Sequence, residues 1–171
     1  MQMVWLEVVL LTAAYRDIRE RKIPNQLIIF GLLGSCIFRY AERGMYGILD
    51  GIISGGFVII LFFPLFLIHA LGAGDIKLFS IVAFMHGSYQ AFVVCVVWLL
   101  LAGIFCLYRL LKSGRMYRRV IYAWDYFARG RVFREPYYQM GRDDPVDTVP
   151  LAPFLAAAYG IVMVGRWLKV W

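Results

Sequence analysis

The chain has 171 residues, 62% of them hydrophobic and only 17% charged, with a net charge of +7. Soluble domains carry about 25% charged residues, so this balance excludes an ordinary soluble enzyme and points to an integral membrane protein. In that setting the positive balance reflects Lys and Arg gathered on the inner side of the membrane, and no nucleic-acid partner is expected.

Six apolar segments follow one another along the chain. The first, Met1–Tyr15, has no basic leader before it and no small-residue cleavage site after it. It reads as a retained helix rather than a signal peptide. Asp17 closes it, and the polar turn Arg21-Lys22-Ile23-Pro24-Asn25 follows, where Pro24 suits the start of the next helix. The second segment runs over Leu27–Phe38. The third, Tyr46–Ile68, repeats Gly47, Gly51 and Gly55 on one face, a spacing that lets helix backbones approach closely in lipid.

The turn Gly72-Ala73-Gly74-Asp75-Ile76-Lys77 then leads into the fourth segment, Ile76–Met85, and the fifth is Ala91–Leu111. The connection Lys112–Thr148 mixes arginines with aromatic residues and is expected to lie as an amphipathic element on the anionic inner leaflet. The sixth segment, Val149–Leu168, carries a second small-residue stripe, Ala152, Ala156 and Gly160. A span needs about 20 residues. The third, fifth and sixth segments reach that length; the first, second and fourth are short, the fourth being the weakest as a span. The expected fold is an all-α membrane bundle of about six transmembrane helices, one domain over residues 1–171.

Charge fixes the expected orientation. With the N-terminus outside, fourteen of the eighteen Lys and Arg residues fall on the inner side. Asp17 and Asp75 then share the inner boundary. Glu7 and Asp50 fall towards the outer side, where packing or interfacial roles are expected. Cys36, Cys95 and Cys106 lie inside apolar segments without any Cys-x-x-Cys pair, so the sequence implies no disulfide framework, metal or cofactor.

A carboxylate at mid-membrane costs roughly 2.5–3.5 kcal/mol, and less near the interface, so such residues usually pair, line a polar cavity or do chemistry. Two carboxylates in one site hold one proton between them, which supplies a base to activate water and an acid to protonate a leaving group. Gly72 and Gly74 beside Asp75 permit a close approach by backbone or substrate and allow positive φ. Arg19, Arg21 and Lys77 are available to orient a carbonyl or counter negative charge, or to act as inner-face anchors.

Gly72-Ala73-Gly74-Asp75-Ile76-Lys77 resembles the Gly-x-Gly-Asp-x-Lys motif of the type IV prepilin leader peptidases, which are intramembrane aspartic endopeptidases. Asp17 with Arg21-Lys22-Ile23-Pro24-Asn25 is similar to that family's first catalytic segment, and Val149-Pro150-Leu151-Ala152-Pro153-Phe154 to the Pro-x-x-Pro-Phe element opening its last helix. The resemblance implies that Asp17 and Asp75 are the catalytic pair, with Gly72, Gly74, Lys77, Pro24 and Asn25 shaping the site. It implies removal of short basic leader peptides from prepilin or pseudopilin substrates, usually after a Gly and before the apolar pilin helix, at the cytoplasmic face of the inner membrane. Larger members carry a methyltransferase region with paired Cys-x-x-Cys motifs. None occurs in this sequence, so the resemblance is to the short form and N-methylation is not expected of it.

Two other classes account for less of the sequence. A proton-coupled transporter using Asp17, Asp75 and Glu7 or His69 as a relay should show internal repeats, and the sequence has none. A non-enzymatic assembly subunit of a pilus or secretion apparatus leaves the paired aspartates without a purpose.

Overall fold

A computed structural model describes residues 1–68, 71–112 and 149–168. Every element in them is an α-helix: α1 (Gln2–Glu20), α2 (Asn25–Leu67), α3 (Ala73–His86), α4 (Ser88–Lys112) and α5 (Ala152–Trp167). His69 and residues 113–148 of the polar connection lie outside the described residues.

The second and third segments, separate in the sequence reading, form one run, α2, broken only at Gly44. Its φ of 58° and ψ of −145° suit a residue without Cβ. The chain folds back there. Arg39 Nη2 reaches Asp50 Oδ2 at 2.6 Å, although eleven residues of straight helix rise about 16 Å. A Cβ on Gly47 would lie 2.5 Å from the Arg39 carbonyl oxygen, so the two arms touch at this glycine. The short apolar stretch Leu27–Phe38 therefore gains length from the polar residues after it, which remain helical up to the break.

At the centre stands α3. Leu78, Phe79 and the whole run Ile81 to Met85 are buried, and a helix that is apolar all round belongs in an interior. The second arm of α2 covers one side through its glycine stripe. A Cβ on Gly51 would meet the Phe84 carbonyl at 2.9 Å, and one on Gly55 the Ser80 carbonyl at 3.1 Å. The stripe thus packs backbone on backbone as expected. With 14 residues, α3 rises about 21 Å, short of the ~30 Å hydrocarbon core.

Two helices close the bundle. α5 packs on α1 and α4, and α4 on α3. Of the expected stripe on α5, Ala152 and Ala156 are buried, and Gly160 faces α1, where an added Cβ would lie 3.4 Å from Glu7 Oε1. α5 has 16 residues rather than about 20; Pro150 restricts the backbone before it and delays the helix to Ala152. By length and composition α2 and α4 are able to cross a membrane. Their outer faces are apolar, with Ile53 70% and Ile60 74% exposed, a continuous surface of the kind that meets lipid or a partner.

The remaining acids and histidine of the apolar segments sit away from Asp17 and Asp75. Asp50 pairs with Arg39, which is 4% exposed and also donates from Nε to the Phe84 carbonyl at 3.0 Å. His86 shares a 2.7 Å hydrogen bond between Nε2 and the Tyr159 hydroxyl.

Candidate functional site

Four helix ends converge at one end of the bundle: the last turn of α1, and the first turns of α2, α3 and α5. Each has a local cause. α1 ends as Arg21 turns into the left-handed region (φ 51°) with its amide bonded back to the Asp17 carbonyl. Pro24 then starts α2 with an extended backbone, φ −68°, as its ring dictates. Only four residues separate the two helices, so Asp17 and Asn25 stay near each other.

Gly72 is the N-cap of α3 and Asp75 the third residue of its first turn. In that position a side-chain carboxylate reaches back to the N-cap amide, one half of a capping box, and the Gly72 N–H bonds to the Asp75 carboxyl. A Cβ on Gly72 would lie 3.0 Å from Asp75 Oδ2. A Cβ on Gly74 would press on Ile23 at 3.3 Å, so the turn between α1 and α2 rests on α3 because Gly74 is bare. Positive φ is not the reason for either glycine, as the sequence had allowed: Gly72 has φ −72°, and among the described residues the positive-φ glycines are Gly44 and Gly87. Both glycines are there for close approach.

Asp17 and Asp75 line one open cleft of about 400 Å³. Gly72, Gly74, Asn25 and Lys77 also line it, and Arg21 and Lys22 bring two further cations to its wall. Lys77 Nζ donates to Asn25 Oδ1 at 3.2 Å, tying the start of α2 to α3 across this space. Of the residues singled out in the sequence beside the two aspartates, Pro24 and Arg19 are not on the cleft surface; Pro24 sets the direction of α2 instead. Arg19 turns away to the Tyr15 hydroxyl, 3.0 Å from its Nη1.

Both acids lie beyond the apolar runs of their helices. Burial pushes the Asp75 carboxyl up to about 7, the nearby Asp17 charge adds to this, and the Gly72 amide opposes it. One Asp75 oxygen, Oδ1, is buried without a hydrogen-bond partner, which a neutral carboxyl tolerates better than a charged one. Asp17 is also raised by burial. The amides of Ala152 and Leu151, then the charge of Arg21, pull it back down. Two acids that share one cleft, both shifted upward by burial, form an arrangement suited to proton transfer.

A model of the type IV leader peptidase family matches residues 4–107. The chain belongs to that family. The matched stretch holds all but the first two residues of α1, the whole of α2 and α3, and most of α4, and so both aspartates of this leader peptidase relative. No curated protein and no solved structure matches the chain. Membership makes the class of activity that of a peptidase, a hydrolase.

One contact was missed in the sequence. Ala152, at the start of α5, donates its backbone N–H to Asp17 Oδ2 at 3.1 Å. α5 has no side-chain cap of its own, and the first amides of a helix need acceptors; a carboxylate from α1 supplies one. Trp98 of α4, 1% exposed, donates from Nε1 to the Leu151 carbonyl at 3.1 Å and fixes the same turn. The only sequence signal was the Pro150-Leu151-Ala152-Pro153 run, which marks a constrained helix start without saying what it faces.

Proposed function

We propose that this chain is an intramembrane aspartic endopeptidase that removes the short basic leader of prepilin-like or pseudopilin-like proteins at the cytoplasmic face of the inner membrane. The observation that carries this reading is the convergence of Asp17 and Asp75, 58 residues apart in sequence and on different helices, on one polar cleft at the end of an apolar bundle. Family membership supports the class of reaction.

In this reading one aspartate is ionised and deprotonates a water, which attacks the scissile carbonyl. The other is protonated and gives its proton to the developing oxyanion. The substrate's apolar helix lies among the membrane helices while its leader reaches the cleft. Asn25 and Lys77 hold α2 and α3 at the spacing that keeps the cleft open, and Gly72 and Gly74 leave room for the substrate backbone. The expected six crossings, with the N-terminus outside, put the cleft on the inner side. No metal or cofactor enters the scheme.

The test is processing of a prepilin-type substrate by the protein in lipid nanodiscs. Wild type is expected to cleave at the junction of leader and apolar helix. Asp17→Asn and Asp75→Asn, inserted and folded, are expected to lose cleavage. Near-normal processing by either variant would end the two-aspartate mechanism.

A further inference from the structure

The two aspartates are not equivalent in their surroundings. Asp17 receives the Ala152 N–H at 3.1 Å from the first turn of α5, and a helix N-terminus favours a negative charge held against it. The Leu151 amide and Arg21 act in the same direction. Asp75 has the Gly72 amide on one oxygen, but its Oδ1 is buried without a partner.

We propose that the N-terminal turn of α5 holds Asp17 as the ionised member of the pair, so that Asp17 is the general base and Asp75 carries the shared proton. The backbone amide of Ala152 is then a positioning group, kept in place by Trp98 through the Leu151 carbonyl. This assignment rests on the peptidase reading for its mechanism, though the order of ionisation does not depend on it. The charged groups facing Asp17 are Arg21 at the end of its own helix, Lys22 on the turn, and Asp75 and Lys77 on α3.

The steps balance without any further reactant. Asp17 takes a proton from water as the water oxygen bonds to the scissile carbon. The carbonyl π pair moves to its oxygen, which receives the Asp75 proton, leaving a gem-diol between a neutral Asp17 and an ionised Asp75. As the C–N bond breaks, the amine leaves with the proton from Asp17, and a gem-diol hydroxyl returns a proton to Asp75. The pair ends as it began.

Two measurements test this. In protein labelled with ¹³Cγ-aspartate in nanodiscs, with resonances assigned through Asp17→Asn and Asp75→Asn, the Asp17 carboxyl is expected to titrate at clearly lower pH than Asp75. Simultaneous titration, or Asp75 ionising first, overturns the assignment. In the second, Ala152→Pro removes the amide, whereas Ala152→Gly keeps it. The proline variant is expected to move the acidic limb of the kcat/KM profile up by about one pH unit, and the glycine variant to leave it in place.

A loss of rate with no movement of that limb in Ala152→Pro overturns the role given to the amide. Leu151 has helical angles, φ −94° and ψ −25°, which a following proline disfavours. Should Ala152→Pro fail to fold, the ¹³C titration order decides alone. Absence of any cleavage by wild type would remove the peptidase reading and leave the titration result standing.

Discussion

Ala152 donates its backbone N–H to Asp17 Oδ2 across 135 residues of chain. The bond joins two needs. The start of α5 has no side-chain cap of its own for its first amides, and a half-buried carboxylate at the end of α1 has lost part of its solvent. Each satisfies the other. It also separates the surroundings of Asp17 from those of Asp75.

Activity should fall as pH rises through about 7, because the raised carboxyl of Asp75 loses its proton there. The same shift acts on stability with a defined sign. Its folded pKa lies above the ordinary value of 3.8, so the native state binds the extra proton. Stability from this group is complete below about 4 and declines until pH 7 is passed. Asp75→Asn should therefore unfold at a higher temperature than wild type at pH 8, by an amount corresponding to roughly 2–4 kcal/mol, and at nearly the same temperature at pH 4. Thermal unfolding in detergent across this range is the check.

Gly72→Ala should reduce kcat by more than tenfold with little change in unfolding temperature. The added methyl meets Asp75 Oδ2 at 3.0 Å and displaces the carboxyl from its place. Gly74→Ala acts differently, pressing on Ile23 at 3.3 Å. Part of its loss should return in Gly74→Ala/Ile23→Ala, which shortens the opposing side chain. A processing assay on the single and double variants tests both.

Arg39→Ala should destabilise the fold by about 1–3 kcal/mol, since it leaves the Phe84 carbonyl unpaired and the hairpin at Gly44 without its tie. Asp50→Asn should cost less, because Asp50 is half exposed. Lys in place of Arg39 should not rescue, as it lacks the forked donors that reach both partners. Chemical unfolding in mixed micelles reads the ranking, and processing activity at low temperature should stay near wild type for all three.

Gly51→Leu should prevent assembly of the bundle. Even a Cβ there would lie 2.9 Å from the backbone oxygen of Phe84, which cannot swing aside as a side chain would. Gly56→Leu, where an added Cβ meets nothing within 4 Å, should fold normally. Expression level and monodispersity of the two variants make the comparison.

Much of the candidate site was legible in the chain itself. Apolar composition and the placement of Asp17 and Asp75 at the ends of their segments suggested a shared depth, and the pattern around Asp75 marked a helix start with bare backbone. Segment lengths were less legible. Apolarity ends at Phe38, but the helix continues, since the hydrogen-bonded ladder needs no apolar side chains. α3 is short in sequence because it is enclosed by other helices rather than by lipid.

Composition and spacing prescribe the all-helical character, the glycine stripe that lets α2 lie on α3, and the two acids at the ends of α1 and α3. These depend on neighbours a few residues away, which composition and spacing record. Packing in three dimensions, by contrast, sets the fold-back of α2 at Gly44 onto Arg39, the baring of Gly72 and Gly74 for contact rather than for positive φ, and the amide that α5 supplies beside Asp17. Each of these depends on what another part of the chain brings to the same place, and a single sequence carries no measure of that distance.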